Sequence, residues 1–244
     1  MKFTRRDTIV LAAAASALSL CGMASANAAE GDMIDVAKLM APAGGMVDHV
    51  RGSETAPVTV IEYASPTCPH CATFANEVSP AFVEAYVDTG KVKFITRPFV
   101  RNVLDAAIFM LAEAAGPENY HNVLETYFRT QPTWAASQTP RDAILEIAKQ
   151  LGFTQETFDA ALTNQELFTG MEALREQALT EFKLTGTPTF YVNGKTLTGD
   201  KTLEQLAAEI DPLVPADFVP TAPAAEAPAE APAEPAEPAV APAQ

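Results

Sequence analysis

Cysteine is scarce in this sequence, and its scarcity restricts the chemistry that the chain can perform. The 244 residues include three cysteines, at positions 21, 68 and 71. Small exported domains that rely on several disulfides for stability need more than this. Ligands for a zinc site are scarce too, because structural zinc takes four ligands and the sequence has three histidines and a single Cys-x-x-Cys pair. We therefore expect no disulfide framework, no metal site and no other cofactor.

Basic residues are also few. Lysine and arginine total 16 against 31 acidic residues, for a net charge of −15. Nucleic-acid-binding proteins need a basic surface, and anionic membranes attract basic segments. Both classes of partner are therefore disfavoured. The simplest role of the acidity is to keep the protein soluble.

The first 28 residues are typical of an export signal peptide. Three basic residues within the first six precede an apolar run over 9–20, and small residues follow. We prefer cleavage after Ala28, which would remove Cys21 and leave 13 basic and 30 acidic residues, a net charge of −17. Cleavage after Ala26 fits as well. A twin-arginine signal, a lipid anchor on Cys21 and a retained membrane anchor remain alternatives.

The other end of the chain has a biased composition. Residues 212–244 are mainly proline, alanine and glutamate, without lysine or arginine. Such a segment cannot bury enough apolar surface to offset the entropy of ordering, so it is predicted to be a disordered tail. A spacer or a docking segment is the alternative. The folded domain is predicted over 46–211, with 29–45 as a lead-in.

Hydrophobic patterns within 46–211 alternate between strand and helix. A helix should run from the Cys-x-x-Cys pair to about Asp88, and the pattern is helical over about 102–184. Thr202 and Gln205 form a capping box for a last helix. Strands are predicted at 46–50, 58–63, 91–96, 189–192 and 195–198, the last two joined by Asn193-Gly194. This order predicts an α/β protein with a thioredoxin fold, a helical insertion and a mixed central sheet.

The Cys-x-x-Cys pair is the strongest chemical signal. Cys68-Pro69-His70-Cys71 directly follows a buried strand and begins a helix. The helix dipole favours a thiolate on Cys68, so Cys68 is the expected nucleophile and Cys71 the resolving thiol. His70 lies between them and is expected to donate a hydrogen bond or positive charge to the Cys68 thiolate. An ordinary surface role for His70 is the alternative.

These residues resemble the DsbA-type periplasmic thiol:disulfide oxidoreductases, in their single-domain branch. The resemblance covers 46–211 and depends on the strand before the motif, on Cys-Pro-His-Cys itself, and on Gly186-Thr-Pro-Thr189 after the insertion. It implies a monomer in the periplasm that introduces disulfides into exported cysteine-containing proteins. It also implies re-oxidation by a quinone-linked, DsbB-like membrane oxidase.

The resemblance assigns further site residues. Pro188 should be cis and pack against the cysteines, and Thr187 and Pro69 should contact the substrate, Thr187 by pairing its backbone with an extended chain. Glu62 would be a buried carboxylate that assists proton transfer. A trans Pro188 and a half-exposed Glu62 are the alternatives.

Other functions remain open from the sequence. A reductase or isomerase of the same fold would use the same cysteines, although isomerases of this fold carry an N-terminal dimerisation domain and 29–45 is too short for one. A tethered surface protein without redox activity is a further alternative. The direction of electron flow is implied mainly by the resemblance.

Overall fold

The computed structural model of the protein describes residues 30–220, which form a five-stranded sheet covered by helices. The strands lie in the order β1-β3-β2-β4-β5. β2 is parallel to β3 and antiparallel to β4, so the sheet is mixed, as predicted. The strands are β1 (Val50–Arg51), β2 (Val58–Ala64), β3 (Val92–Pro98), β4 (Thr189–Val192) and β5 (Lys195–Thr198).

Ten α-helices lie in the described part of the chain. The insertion between β3 and β4 is helical, as predicted, and contains α4 to α9. The helices are α1 (Val36–Leu39), α2 (Pro69–Thr73), α3 (Ser79–Phe82), α4 (Val103–Ala114), α5 (Tyr120–Arg129), α6 (Gln131–Ala135), α7 (Pro140–Gln150), α8 (Gln155–Leu162), α9 (Gln165–Thr180) and α10 (Leu203–Ile210).

β2 is the central strand and is buried on both faces. Val58 and Val60 pack in the same apolar cluster as residues of helix 69–87 and α10. Ile61 and Tyr63 pack on the opposite face, with residues of α9. Because side chains alternate along a strand, Glu62 shares the face of Val58 and Val60. The Glu62 carboxylate therefore lies on the face of the sheet that is covered by helix 69–87, the helix that begins beside the cysteines.

The helix after the cysteines runs over 69–87, as predicted, but it is not uniformly α-helical. Two π-helical turns, Phe74–Val78 and Val83–Val87, alternate with α2 and α3. Pro80 accounts for the first turn, because it lacks an N–H and its ring would clash with a carbonyl one turn earlier. The wider turn lets the Ser79 N–H bond to the Phe74 carbonyl.

The insertion has its own apolar core, which extends to the cysteines. Trp134, Tyr127 and Phe128 are buried in it, so these aromatic residues belong to the core and form no exposed binding patch. The indole Nε1 of Trp134 donates to the Tyr127 carbonyl at 2.8 Å. Cys68 and Cys71 belong to the same cluster. The active-site helix is thus held between the sheet and the insertion.

The strand predicted at 46–50 is wrong in its bounds, because β1 pairs only Val50 and Arg51 with β3. The segment just before β1 contacts a buried arginine instead of pairing with β3. The two carboxylate oxygens of Asp48 accept from the buried Arg97 guanidinium at 2.7 and 2.6 Å. Covering Arg97 in this way keeps the segment from extending the sheet.

Both flanks of the predicted domain contact it. The Gly31 N–H donates to the Thr196 carbonyl at 2.8 Å, and the Thr196 N–H donates to the Asp32 carbonyl at 2.8 Å, so the lead-in covers the β5 edge. After α10, a 3₁₀ turn spans Asp211–Leu213. The predicted signal peptide and most of the predicted tail lie outside the described residues. Within 30–220, no helix is both long and apolar enough to cross a membrane.

Candidate redox site

The two cysteines lie at the C-terminal end of β2. Cys68 is the N-cap of α2 and has an extended backbone, with Pro69 as the first helical residue. Cys68 is 3% exposed and Cys71 is fully buried, and the two thiols are free. Pro69 and His70 are exposed beside Cys68. Within residues 30–220, Cys68 is therefore the cysteine of the pair that retains some contact with solvent.

The environment lowers the pKa of Cys68 to about 5 from its ordinary value of 9. The largest cause is a hydrogen bond from the Cys71 thiol, which is partly opposed by burial. Backbone N–H groups of Cys71 and His70 stabilise the thiolate as well. These are the N–H groups that the first turn of a helix leaves without partners.

The same geometry raises the pKa of Cys71 well above its ordinary value. Burial is the main cause, followed by the hydrogen bond to Cys68 and the nearby Glu62 and Cys68 charges. The Ser65 N–H, 3.5 Å from Cys71 Sγ, acts in the opposite direction. At neutral pH, Cys68 is therefore a thiolate and Cys71 a thiol. This asymmetry favours the roles of nucleophile and resolving thiol predicted for Cys68 and Cys71, which stay predictions.

The Thr187–Pro188 peptide bond is cis, as the resemblance implies, and the trans alternative is wrong. Pro188 is buried, and the preceding Thr187 contacts Cys68. The Thr187 carbonyl oxygen lies 3.3 Å from Cys68 Sγ. The Gly186–Thr189 loop thus lies directly against the nucleophile.

Glu62 is buried, with 3% of its surface exposed, so the half-exposed alternative is wrong. Burial, together with a smaller effect of the Cys68 charge, raises the pKa of its carboxyl to about 8. Among residues 30–220, one carboxyl oxygen, Oε1, is buried and has no hydrogen-bond partner. Near neutral pH, Glu62 can therefore hold a proton and release it.

The His70 ring does not contact Cys68 in the way that its position in the motif suggests. Its Nδ1 pairs with Asp200 Oδ2 at 2.7 Å, and both side chains are more than half exposed. What His70 contributes to the thiolate is its backbone N–H. Asp200 was not singled out from the sequence, since it follows β5 and lies 130 residues from His70 along the chain.

A second group missed from the sequence is Asp105, a fully buried carboxylate on α4. Ser65 Oγ donates to it at 2.8 Å, the Thr67 N–H at 2.8 Å and the Arg101 N–H at 2.9 Å. These bonds fix the loop that leads from β2 to Cys68. The one available signal was an aspartate inside the apolar run Val103–Ala114.

Gln131 supports the same loop from α6. Its side-chain amide donates to the Pro66 carbonyl at 2.6 Å and to the Cys68 carbonyl at 2.9 Å. The insertion therefore positions the cysteines with polar groups as well as with its apolar core. Within 30–220, no cluster of three or more histidine, cysteine or acidic side chains could hold a metal ion.

Comparison with known proteins agrees with this geometry. A family model described as Thioredoxin matches residues 46–212, more than half of the chain. The solved structures that resemble the protein include DsbA proteins. The chain belongs to the thioredoxin family, as a member of DsbA type.

Three relatives give the degree of similarity. A Rickettsia bellii protein, provisionally named a protein-disulfide oxidoreductase, is 30% identical over 168 residues, which are 67% of this chain and 63% of that protein. Disulfide bond formation protein D of Bacillus subtilis is 25% identical over 66% of this chain and 75% of its own length. The crystal structure of alpha-DsbA1 from Wolbachia pipientis has a TM-score of 0.65 and 27% identity, covering 68% of this chain and 90% of that one. The chain thus spans less than two thirds of the Rickettsia protein.

Proposed function

We propose that the protein is a thiol:disulfide oxidoreductase that introduces disulfides into exported proteins through Cys68 and Cys71. The observation that carries this proposal is the unequal cysteine pair, with a Cys68 pKa of about 5 beside a strongly raised Cys71 pKa. A stable Cys68 thiolate favours the reduced enzyme, so the oxidised enzyme accepts electrons readily.

The reaction starts from the Cys68–Cys71 disulfide. A substrate thiolate attacks Cys68 Sγ and forms a mixed disulfide, while the Cys68–Cys71 bond breaks and Cys71 leaves with the electron pair. Cys71 then takes up a proton, for which the buried Glu62 carboxyl is the nearby donor. A second substrate thiolate attacks the substrate sulfur, and Cys68 leaves as a thiolate. The substrate has lost two electrons, and the enzyme has gained them.

The loop at Thr187 supports a binding mode for the substrate. Its carbonyl lies against Cys68, and the exposed Pro69 flanks the same sulfur. An extended segment of substrate that pairs with the Thr187 backbone would place its own cysteine at Cys68 Sγ. Such backbone pairing accepts many sequences, which suits an enzyme that acts on unfolded exported proteins.

Export to the periplasm and re-oxidation by a quinone-linked, DsbB-like membrane protein complete the proposal. They derive from the signal-like N-terminus and from the DsbA type of the chain. A dedicated oxidase needs an electron acceptor, because each turnover leaves two electrons on Cys68 and Cys71. Redox exchange at this pair needs no further cofactor.

The decisive experiment is the reduction potential of the Cys68–Cys71 pair, equilibrated with glutathione buffers. We expect a value near the roughly −120 mV of DsbA. A value near the roughly −270 mV of thioredoxin would overturn the oxidase and indicate a reductase that requires an electron donor. Oxidation of a reduced, unfolded substrate by wild type and by Cys68→Ala separates an enzyme from a tethered protein without redox activity, since only an enzyme would lose function.

A further inference from the structure

Two charged side chains of opposite sign lie at the same edge of the sheet as Cys68, and the redox reaction uses neither of them. They are Arg101, which follows β3, and Asp200, which follows β5. β2 and β3 are parallel and end at this edge, whereas β4 begins there and β5 ends there. Because the strands lie in the order β3-β2-β4-β5, Arg101 and Asp200 are on opposite sides of Cys68.

Arg101 is bonded to the loop that leads to the nucleophile. Its Nε donates to Ser65 Oγ at 2.9 Å, and its Nη2 donates to Thr67 Oγ1 at 3.1 Å, directly before Cys68. The Arg101 side chain is 39% exposed. The carboxylate of Asp105 lies 3.8 Å from Arg101 Nε but is fully buried. A molecule that approaches Cys68 from this side therefore meets the positive guanidinium and not the negative carboxylate.

Asp200 is held on the other side of Cys68. Its Oδ2 lies 2.7 Å from His70 Nδ1, and its side chain remains 57% exposed. The lead-in fixes the loop that carries Asp200, because the Glu30 carboxylate accepts from the Thr198 N–H at 2.6 Å and lies 3.3 Å from Lys201 Nζ. Since Lys201 is paired with Glu30, it does not cancel the charge of Asp200. The negative charge therefore has a fixed position beside the exposed part of the Cys-Pro-His-Cys motif.

The separation of the two charges fits a short extended peptide that lies across the strand ends. Neighbouring strands are about 4.8 Å apart, so β3 and β5, which are three spacings apart, are separated by roughly 14 Å. An extended chain advances about 3.3 Å per residue, so this distance spans about four residues. Cys68 Sγ and the Thr187 carbonyl oxygen, 3.3 Å from each other, lie between the two charges. A substrate cysteine at Cys68 can therefore have one charged neighbour near Arg101 and another near Asp200.

We propose that Arg101 and Asp200 are specificity residues, which select substrate cysteines that have an acidic residue on one side and a basic residue on the other. The inference rests on the proposed function and deepens it. The guanidinium has five N–H donors, of which the bonds to Ser65 and Thr67 occupy two, so it can also bind a substrate carboxylate. Asp200 binds the basic side chain. Backbone pairing at Thr187 accepts many sequences, and the two charges favour one direction of the chain across Cys68.

The test uses two peptides of the same composition, each with one cysteine. The first has glutamate two residues before the cysteine and lysine two residues after it, and the second has the two charges exchanged. Each cysteine carries nitrothiobenzoate as a mixed disulfide. The Cys68 thiolate of the reduced protein attacks the peptide sulfur, a Cys68–peptide disulfide forms, and the coloured aromatic thiolate leaves with the electron pair. The peptides have the same net charge, so the acidity of the whole protein acts equally on both.

We expect one peptide to react about five- to tenfold faster than the other, because each exposed ion pair contributes a factor of a few and the reverse order replaces attraction with repulsion. Arg101→Gln or Asp200→Asn should lower this ratio to about two- to threefold. Asp200→Lys makes both sides positive and should bring the ratio close to one. A change in the reactivity of Cys68 cancels in the ratio. High salt should lower the wild-type ratio, because the charges are exposed.

Arg141 and Asp159 supply matched controls, because they form an exposed ion pair between α7 and α8. Arg141→Gln and Asp159→Asn should keep the wild-type ratio. Equal rates for the two peptides on wild type, or an unchanged ratio in Arg101→Gln or Asp200→Asn, would overturn the inference. Should Arg101→Gln fail to fold, the exposed substitution Asp200→Lys decides the question alone.

The outcome for the specificity is separate from the outcome for the proposed function. Release of the aromatic thiolate measures capture by Cys68 whichever way electrons flow in the cell. A thioredoxin-like reduction potential combined with a clear preference between the peptides would reject the oxidase and keep the specificity. A DsbA-like potential combined with equal rates would keep the oxidase and reject the specificity.

Discussion

The insertion holds the active-site loop through Asp105, so we expect Asp105→Asn to destabilise the protein strongly. Asparagine has nearly the same shape, but it carries no charge and replaces one acceptor oxygen with a donor. Around Asp105, both backbone donors and Ser65 Oγ point at the carboxylate. The substitution therefore sets one N–H group against another inside a fully buried site.

The magnitude follows from these contacts. A hydrogen bond to a charged group contributes about 1.5–3 kcal/mol, and an orphaned buried donor costs about 1–3 kcal/mol. Loss of one charged bond and creation of one orphaned donor give a destabilisation of about 2.5–6 kcal/mol. For a domain of this size, about 3 kcal/mol corresponds to a fall in Tm of roughly 6–12 °C.

The chain offers a matched control in Asp142. Asp105 and Asp142 are both the third residue of a helix, α4 and α7 respectively, but Asp142 is exposed. Asp142→Asn removes only the favourable interaction with the helix dipole, about 0.3–1 kcal/mol. Denaturant unfolding of both variants measures the difference. A loss below about 1 kcal/mol in Asp105→Asn would show that the loop does not depend on the carboxylate.

Three other expectations concern the cysteines and their surroundings. Cys71→Ala should raise the pKa of Cys68, because the Cys71 thiol is its main stabilising partner; the pH dependence of alkylation measures this, and an unchanged midpoint would contradict it. In the reduced protein, the lowered Cys68 pKa contributes stability that is full above the unfolded value of 9 and is lost as pH falls to about 5. The raised Glu62 pKa contributes in the opposite sense, full below 4.5 and lost as pH rises to about 8. The oxidised protein has no Cys68 thiolate, so the free energy of unfolding of the reduced form should rise relative to that of the oxidised form between pH 5 and pH 9. Denaturant unfolding of both forms measures this. A difference between the two free energies that does not change with pH would refute the lowered Cys68 pKa. Asp200→Asn should leave the alkylation midpoint of Cys68 nearly unchanged, since the exposed His70–Asp200 pair does not contact the sulfur; a large shift would restore the His70 ring as a partner of the thiolate.

Features that depend on neighbouring residues were predictable from the sequence. The hairpin at Asn193-Gly194 is an example, because both residues have positive φ, 45° and 94°, and these two residue types tolerate it best. The start of the last helix is another, since Thr202 and Gln205 form the predicted capping box of α10. The cis Pro188 was predicted from family resemblance and not from local chemistry.

Features that depend on distant contacts were missed. Arg97 keeps 46–49 out of the sheet through Asp48, a pairing between residues 49 positions apart. Asp105 reaches the active-site loop across 38 to 40 positions. No local pattern encodes such contacts. A polar residue within an apolar run signals that a buried partner exists, but the sequence does not say where.

The difference in pKa between the two cysteines is a further effect of tertiary structure. Cys68 and Cys71 are chemically identical and three residues apart, yet the fold moves their pKa values in opposite directions. Cys68 meets backbone N–H groups and the Cys71 thiol, whereas Cys71 is enclosed and faces the carboxyl of Glu62. Cys68 stays a thiolate when the disulfide is reduced at neutral pH, whereas Cys71 becomes a thiol, so the buried sulfur is the one that needs a proton delivered. The buried carboxyl of Glu62, whose raised pKa lets it hold a proton near neutral pH, lies where it can deliver that proton to Cys71.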